Sequence, residues 1–185
     1  WDKRPRVQLQ VRHVDKFVER FEQDWPIPRT QWTKLFLAPS GTSLQDKPAS
    51  AKAALPFAAM GDGLTFLSEP LPTDTELTGP SAVKLWVSSS TADADIFVVL
   101  RVFRPDGEEV AFQGAIDPHT PIGQGWLRAS HRKLDPTLSK PWRPYHTHDE
   151  RQPLKSGEIV ELDVELWPTS LVVPAGHRIG LSVRG

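Results

Sequence analysis

At 185 residues, with a net charge of -1 and no cysteine, the chain is sized for one large domain and has no electrostatic bias toward nucleic acid or an anionic membrane. Disulfides and thiolate metal sites are excluded, and the lack of any asparagine removes every N-glycosylation acceptor. No apolar run approaches the roughly 20 residues that a membrane-spanning helix needs.

Eighteen prolines and twelve glycines cut the chain into short segments, which argues against a helical bundle and for an all-β sandwich or barrel. Val7, Leu9 and Val11 alternate with Gln8, Gln10 and Arg12, predicting a strand over residues 6–13. Val14, Phe17, Val18 and Phe21 then fall at helical spacing, predicting a turn or two of helix before Trp25-Pro26-Ile27-Pro28 forces extended backbone. Residues 32–38 read as a strand, and 40–60, rich in Ser, Ala, Lys and Pro without a period, as a mobile loop. A strand over 64–69 ends at Pro70 and Pro72. Strands follow over 82–88 and 95–104, and Pro105-Asp106-Gly107 turns the chain into a return strand over 109–116. Beyond the Gly123-Gln124-Gly125 bend comes a strand over 126–132. Residues 140–153, with Pro141, Pro144 and Pro153, form a long irregular connection.

The carboxy-terminal stretch is the most informative. Val160, Leu162, Val164 and Leu166 alternate with Glu161, Asp163 and Glu165, the signature of a half-buried strand. Pro168 brings no N–H and is expected to stop its ladder. Pro174-Ala175-Gly176 turns the chain into a last strand from His177, for about nine strands in two packed sheets.

Three constellations invite a chemical reading. His146 and His148, at i and i+2 on a strand, would share a face and could grip zinc, but the other histidines offer no second cluster. Satisfied polar side chains on an exposed connection are the plainer account. Ser130 and His131, as strand neighbours, point to opposite faces and are badly placed as nucleophile and base. Asp93 and Asp95 share a face and could hold calcium, although pairing with Arg128, Arg132 or Arg178 is the simpler expectation. Among the seven tryptophans, Trp86 and Trp167 read as core. Trp126, Trp142 and Tyr145 lie on or near loops, where they would stack on sugars or cover a partner.

Several motifs in order carry a resemblance. Leu77-Thr78-Gly79-Pro80 precedes Val83-Lys84-Leu85-Trp86-Val87-Ser88-Ser89, and Asp93-Ala94-Asp95-Ile96-Phe97 precedes Pro105-Asp106-Gly107. Gly125-Trp126-Leu127-Arg128-Ala129-Ser130-His131-Arg132 and the Glu165-Leu166-Trp167-Pro168-Thr169-Ser170 to Val183 stretch follow. Together they resemble the carboxy-terminal, non-catalytic β-domain of the CocE/NonD family of serine hydrolases, the X-Pro dipeptidyl-peptidase C-terminal type. The resemblance implies a jelly-roll β-sandwich of galactose-binding-domain-like architecture over residues 31–185. Residues 1–30 would be the segment arriving from an upstream α/β-hydrolase domain, and the family continues with another strand or two past position 185.

A nucleophile elbow has glycines on both sides of its serine. Ser43, Ser81 and Ser182 each sit two residues after a glycine but lack the second one, so no catalytic residue is assigned. No cofactor or metal is assigned either. The implied partners are the upstream hydrolase domain and a second copy in a homodimer, with neither nucleic acid nor membrane. Phe17, Phe21, Trp25, Trp142 and Tyr145 are the candidate domain-interface residues. The alternative is a free-standing carbohydrate-binding jelly roll, or a structural domain without a ligand.

Overall fold

The computed structural model describes residues 3–112 and 116–185, and every structural statement below concerns these residues. Ten strands run in chain order: β1 (Val7–Arg12), β2 (Phe17–Glu22), β3 (Phe36–Ala38), β4 (Ser43–Gln45), β5 (Leu64–Ser68), β6 (Thr75–Val87), β7 (Asp95–Phe103), β8 (Gly123–Arg128), β9 (Val160–Val173) and β10 (Arg178–Arg184). They form two mixed sheets, ordered β2-β1-β9-β6 and β3-β4-β5-β10-β7-β8, as a β-sandwich requires. Two short 3-10 turns, Ser40–Thr42 and Ala129–His131, complete the regular structure.

The core lies between the sheets. Leu162 and Val164 of β9 are fully buried, and their register partners on β6 are Leu85 and Val83. Ile96 and Val98 of β7 meet them from the other sheet, with Leu181 and Val183 of β10 and Phe66 of β5. A second cluster of Val102, Val110, Ile122, Leu171 and Val173 closes one end. The alternation in β9 thus faces its aliphatic residues inward as expected, while Lys84 on β6 binds both Glu161 and Asp163 on the outer face.

The structure corrects several expectations. Residues 14–21 make no helix: β2 pairs antiparallel with β1, Val11 opposite Val18 and Leu9 opposite Arg20. Its face is inverted, with Phe17 and Phe21 exposed while Glu22 is only 6 % exposed. Phe17 and Phe21 therefore face outward, while Arg20 and Glu22 on the opposite face are ion-paired. Glu22 accepts from Arg29 and forms an ion pair with Arg20 Nε at 2.8 Å, and the two arginines, Arg29 first, hold its carboxyl below its ordinary value.

Pro168 does not stop β9. The β6–β9 register shifts between Gly79 and Ser81, opposite Thr169 and Leu166. Trp167 and Pro168 therefore face Pro80 alone, a bulge in which a residue without an N–H costs the ladder nothing. Gly79, at φ 137°, adopts there a backbone that L side chains rarely take.

Smaller differences follow the same logic. The strand expected over 32–38 begins only at Phe36, the 40–60 region contains β4, and the strand expected over 126–132 gives way to the 3-10 turn after Arg128. The hairpin return is reduced to isolated bridges, Phe103 with Glu109 and Phe112 with Thr120, and residues 113–115 of the expected strand lie outside the described residues. Ten strands replace the expected nine, and the Trp25–Pro26 peptide is cis.

Arg20 also reaches Glu76 on β6 through both terminal nitrogens, at 2.7 and 2.5 Å. These bonds outweigh the opposing effect of burial and hold the Glu76 carboxyl down to about 2. With the folded value below the unfolded one, the stabilisation is complete above the unfolded carboxylate range and is lost as pH falls from about 4.5 toward 2. Urea midpoints measured across that window should therefore fall for the native chain. The fall should be shallower for Glu76→Gln, and an unchanged slope would remove this pair from the acid response.

Candidate functional site

The side chains that could do chemistry gather where β7 and β8 meet the Ala129–His131 turn. Asp93 anchors this corner: its carboxylate accepts from Ser130 Oγ at 2.6 Å, Ser130 N–H at 2.9 Å and Ala94 N–H at 3.0 Å. Burial opposes its ionisation, but these bonds outweigh it and the carboxyl titrates below its ordinary value. Asp95, at the start of β7, takes a two-pronged bond from Arg128 across the β7–β8 register, 2.8 Å on each arm. That bond lowers the Asp95 carboxyl and raises the guanidinium. Of the three arginines left open by the sequence, Arg128 makes this pair. Arg132 instead donates to the carbonyls of Ala129 and Gln152, and Arg178 donates to the carbonyl of Ser68.

Ser130 is fully buried and donates to Asp93. The ring of His131 turns away from it and meets His148, Nδ1 to Nδ1 at 3.2 Å. A serine without a base and without exposure cannot act as a nucleophile. Ser182 is equally buried, bonded to Thr65 Oγ1 at 2.7 Å, and Ser43 Oγ donates to the carbonyl of Ser40.

His146 and His148 do not share a strand face. His148 takes a positive φ of 54°, which swings its ring toward His131 and leaves the His146 ring 6.0 Å away. Burial, then the nearby His148, lowers the His146 pKa. Among the described residues no group of three or more His, Cys, Asp or Glu is placed to hold a metal ion.

These residues border a groove of about 570 Å³ lined by Phe97, Trp126, Arg128, His131, His146 and His148 among others. Phe97 and Trp126 are register partners on the outer face of the sheet, and Trp126 packs on Trp167 with ring centroids 5.3 Å apart. The tryptophan expectations are corrected accordingly. Trp86 and Trp167 are not core but 65 % and 56 % exposed, and Trp126 lies within β8 rather than on a loop. Period-two alternation had no means of showing that the outer face carries the aromatics.

The candidate interface residues lie elsewhere. Phe17, Phe21, Trp25 and Tyr145 are exposed, and Trp142 stacks on Trp32 at 4.2 Å with an interplanar angle of 17°. The 140–153 connection thus reaches Trp32, just past the 1–30 segment, a residue with no local signal of its own.

The X-Pro dipeptidyl-peptidase C-terminal non-catalytic domain family matches residues 1–185 in full. The chain belongs to this family. A Mycobacterium bovis protein named as a serine esterase is 37 % identical over 126 residues, 66 % of this chain and 18 % of that protein. Cocaine esterase of Rhodococcus sp. is 27 % identical over 97 % of this chain, which spans 33 % of it. The crystal structure of a CocE/NonD family hydrolase from Staphylococcus aureus superimposes with a TM-score of 0.94 at 28 % identity, covering all of this chain and 34 % of that one. The domain therefore corresponds to about a third or less of the relatives it matches, and all three are hydrolases or esterases rather than free sugar-binding modules.

Proposed function

We propose that this domain is the carboxy-terminal, non-catalytic part of a CocE/NonD-type serine hydrolase and that it packs on an upstream α/β-hydrolase domain. In this reading the parent enzyme transfers acyl groups to water, from ester, amide or X-Pro peptide substrates, and the β-domain helps wall its cleft and supports a homodimer. The observation that carries it is the family match over the whole chain, joined to a 0.94 TM-score against the equivalent third of a CocE/NonD hydrolase. The buried state of Ser130 and its bond to Asp93 fit a domain without a nucleophile of its own. In this reading the chain arrives from the hydrolase domain through residues 1–30, whose strands β1 and β2 join the four-stranded sheet of the sandwich, and 31–185 supply the rest of the jelly roll.

The proposed docking face has Phe17, Phe21, Trp25, Trp142 and Tyr145 as its anchors. Phe17, Phe21, Trp25 and Tyr145 are exposed and Trp142 is partly so, and exposed aromatics are enriched at interaction surfaces of soluble domains. Sedimentation of the 185-residue chain should show concentration-dependent self-association that Phe21→Ser and Trp142→Ala both reduce without a change in circular dichroism. Association that neither substitution alters would overturn the docking assignment. Stoichiometric labelling of the chain by a serine-directed phosphonate would overturn the non-catalytic reading.

A further inference from the structure

We infer that the cleft at the β9 bulge is a carboxylate-binding site, with the guanidinium of Arg12 as its cationic floor. Arg12 ends β1, and its Nε donates to the Ser170 carbonyl at 3.4 Å. Its Nη2 donates to the Ile122 carbonyl at 3.2 Å and also to Thr169 Oγ1. The guanidinium carbon lies 4.6 Å from the centre of the Phe112 ring. Every one of these partners is uncharged. By contrast Arg20, Arg29, Arg101, Arg128 and Arg178 each have a carboxylate within 4.0 Å. Arg132 also bonds only carbonyls, but it lines neither of the two cavities described here.

Arg12 does line a cavity. The cleft has a volume of about 390 Å³ and is bordered by Gln10, Gln124, Trp167, Pro168 and Ser170 among others, with Arg12 the one charged residue in its lining. Partly buried cations are ordinarily paired, because removing charge from water is costly unless a counter-charge replaces the lost hydration. Burial without compensation lowers the Arg12 pKa from its ordinary value, which an anion in the cleft would offset. Nη1 has no hydrogen-bond acceptor among the described residues, so the planar fork retains free donors for a carboxylate. A single cation balances a carboxylate, whereas a phosphate dianion would call for more positive charge than the lining holds.

The carboxylate has two sources. It is a side chain of the hydrolase domain proposed above, or a free small acid. The first test needs neither assumption. The 185-residue chain, with arginine and tryptophan side chains isotopically labelled, is titrated at constant ionic strength with acetate, sulfate and chloride. Arg12 Nε–H and Trp167 Nε1–H are followed by NMR. Saturable acetate shifts at both groups, with an apparent dissociation constant about tenfold or more below that for chloride, are expected. Arg12→Gln should abolish them and Arg12→Lys should weaken them. Because Arg12 also ties β1 to β9 and to Ile122 just before β8, the wild-type resonances decide the matter even if a variant fails to fold. No saturable acetate shift at Arg12, or one equal to that for chloride, overturns the site. A response to sulfate without one to acetate overturns the carboxylate assignment. Repeating the acetate titration on the intact hydrolase polypeptide identifies the source. Loss of the response there means a side chain of the upstream domain fills the cleft, and persistence means a free small acid.

Discussion

Alanine at Gly125 is expected to abolish the native fold or shift the urea midpoint more than any other single methyl addition on β8. Gly125 is buried where β8, at the edge of one sheet, crosses β9 of the other. A Cβ built there lies 1.8 Å from the Glu165 carbonyl oxygen and 2.8 Å from its carbonyl carbon. Both are backbone atoms of a strand paired with β6 along its length, so they cannot step aside as a side-chain tip would. Overpacking a core costs roughly 1–3 kcal/mol where neighbours can shift. Here relief requires moving two sheets apart, and the cost should exceed that range. Gly123, two residues earlier on the same face, is the control: its Cβ would meet the Trp167 carbonyl oxygen at 3.5 Å and Leu100 at 3.7 Å, ordinary contacts. Gly123→Ala should leave the midpoint almost unchanged. Equal effects at the two positions would mean that β8 and β9 do not approach as closely as described.

Aspartate at Val164 should cost on the order of 4 kcal/mol, because a carboxylate without a partner enters the core. Val164 is fully buried at the centre of β9, its register partner is Val83, and it lies within the main cluster. Its neighbour Asp163 faces outward, 3.0 Å from Lys84, which also holds Glu161. Asp163→Lys places like charges together and loses that pair, a surface effect of no more than about 1 kcal/mol. The position is therefore not silent, as alternation alone would have it, but the contrast between neighbouring residues remains large. Thermal denaturation of the two variants side by side measures it, and comparable shifts in Tm would show that the faces of β9 are misassigned.

The two-residue period of β1 and of the first half of β9, the breakers between the strands and the motifs of the family were all legible in the sequence. Each is local: alternation follows from the strand's own geometry, and proline and glycine act on their own backbone. These features were enough for the all-β sandwich and the family. Long-range contacts decided the rest. Residues 17–22 became a strand because β1 offered a hydrogen-bonding edge, and Glu22 on its inward face is held by ion pairs. Pro168 could remain in β9 because β6 carries Gly79 and Pro80 opposite it. Trp86, Trp126 and Trp167 remain largely open to solvent among the described residues, which composition does not record. The bond of Ser130 to Asp93, the meeting of His131 with His148 and the uncharged surroundings of Arg12 join residues 37, 17 and up to 158 positions apart. Periodicity constrains which way a side chain points along its own strand, and only the packing of one sheet on the other determines what it meets there.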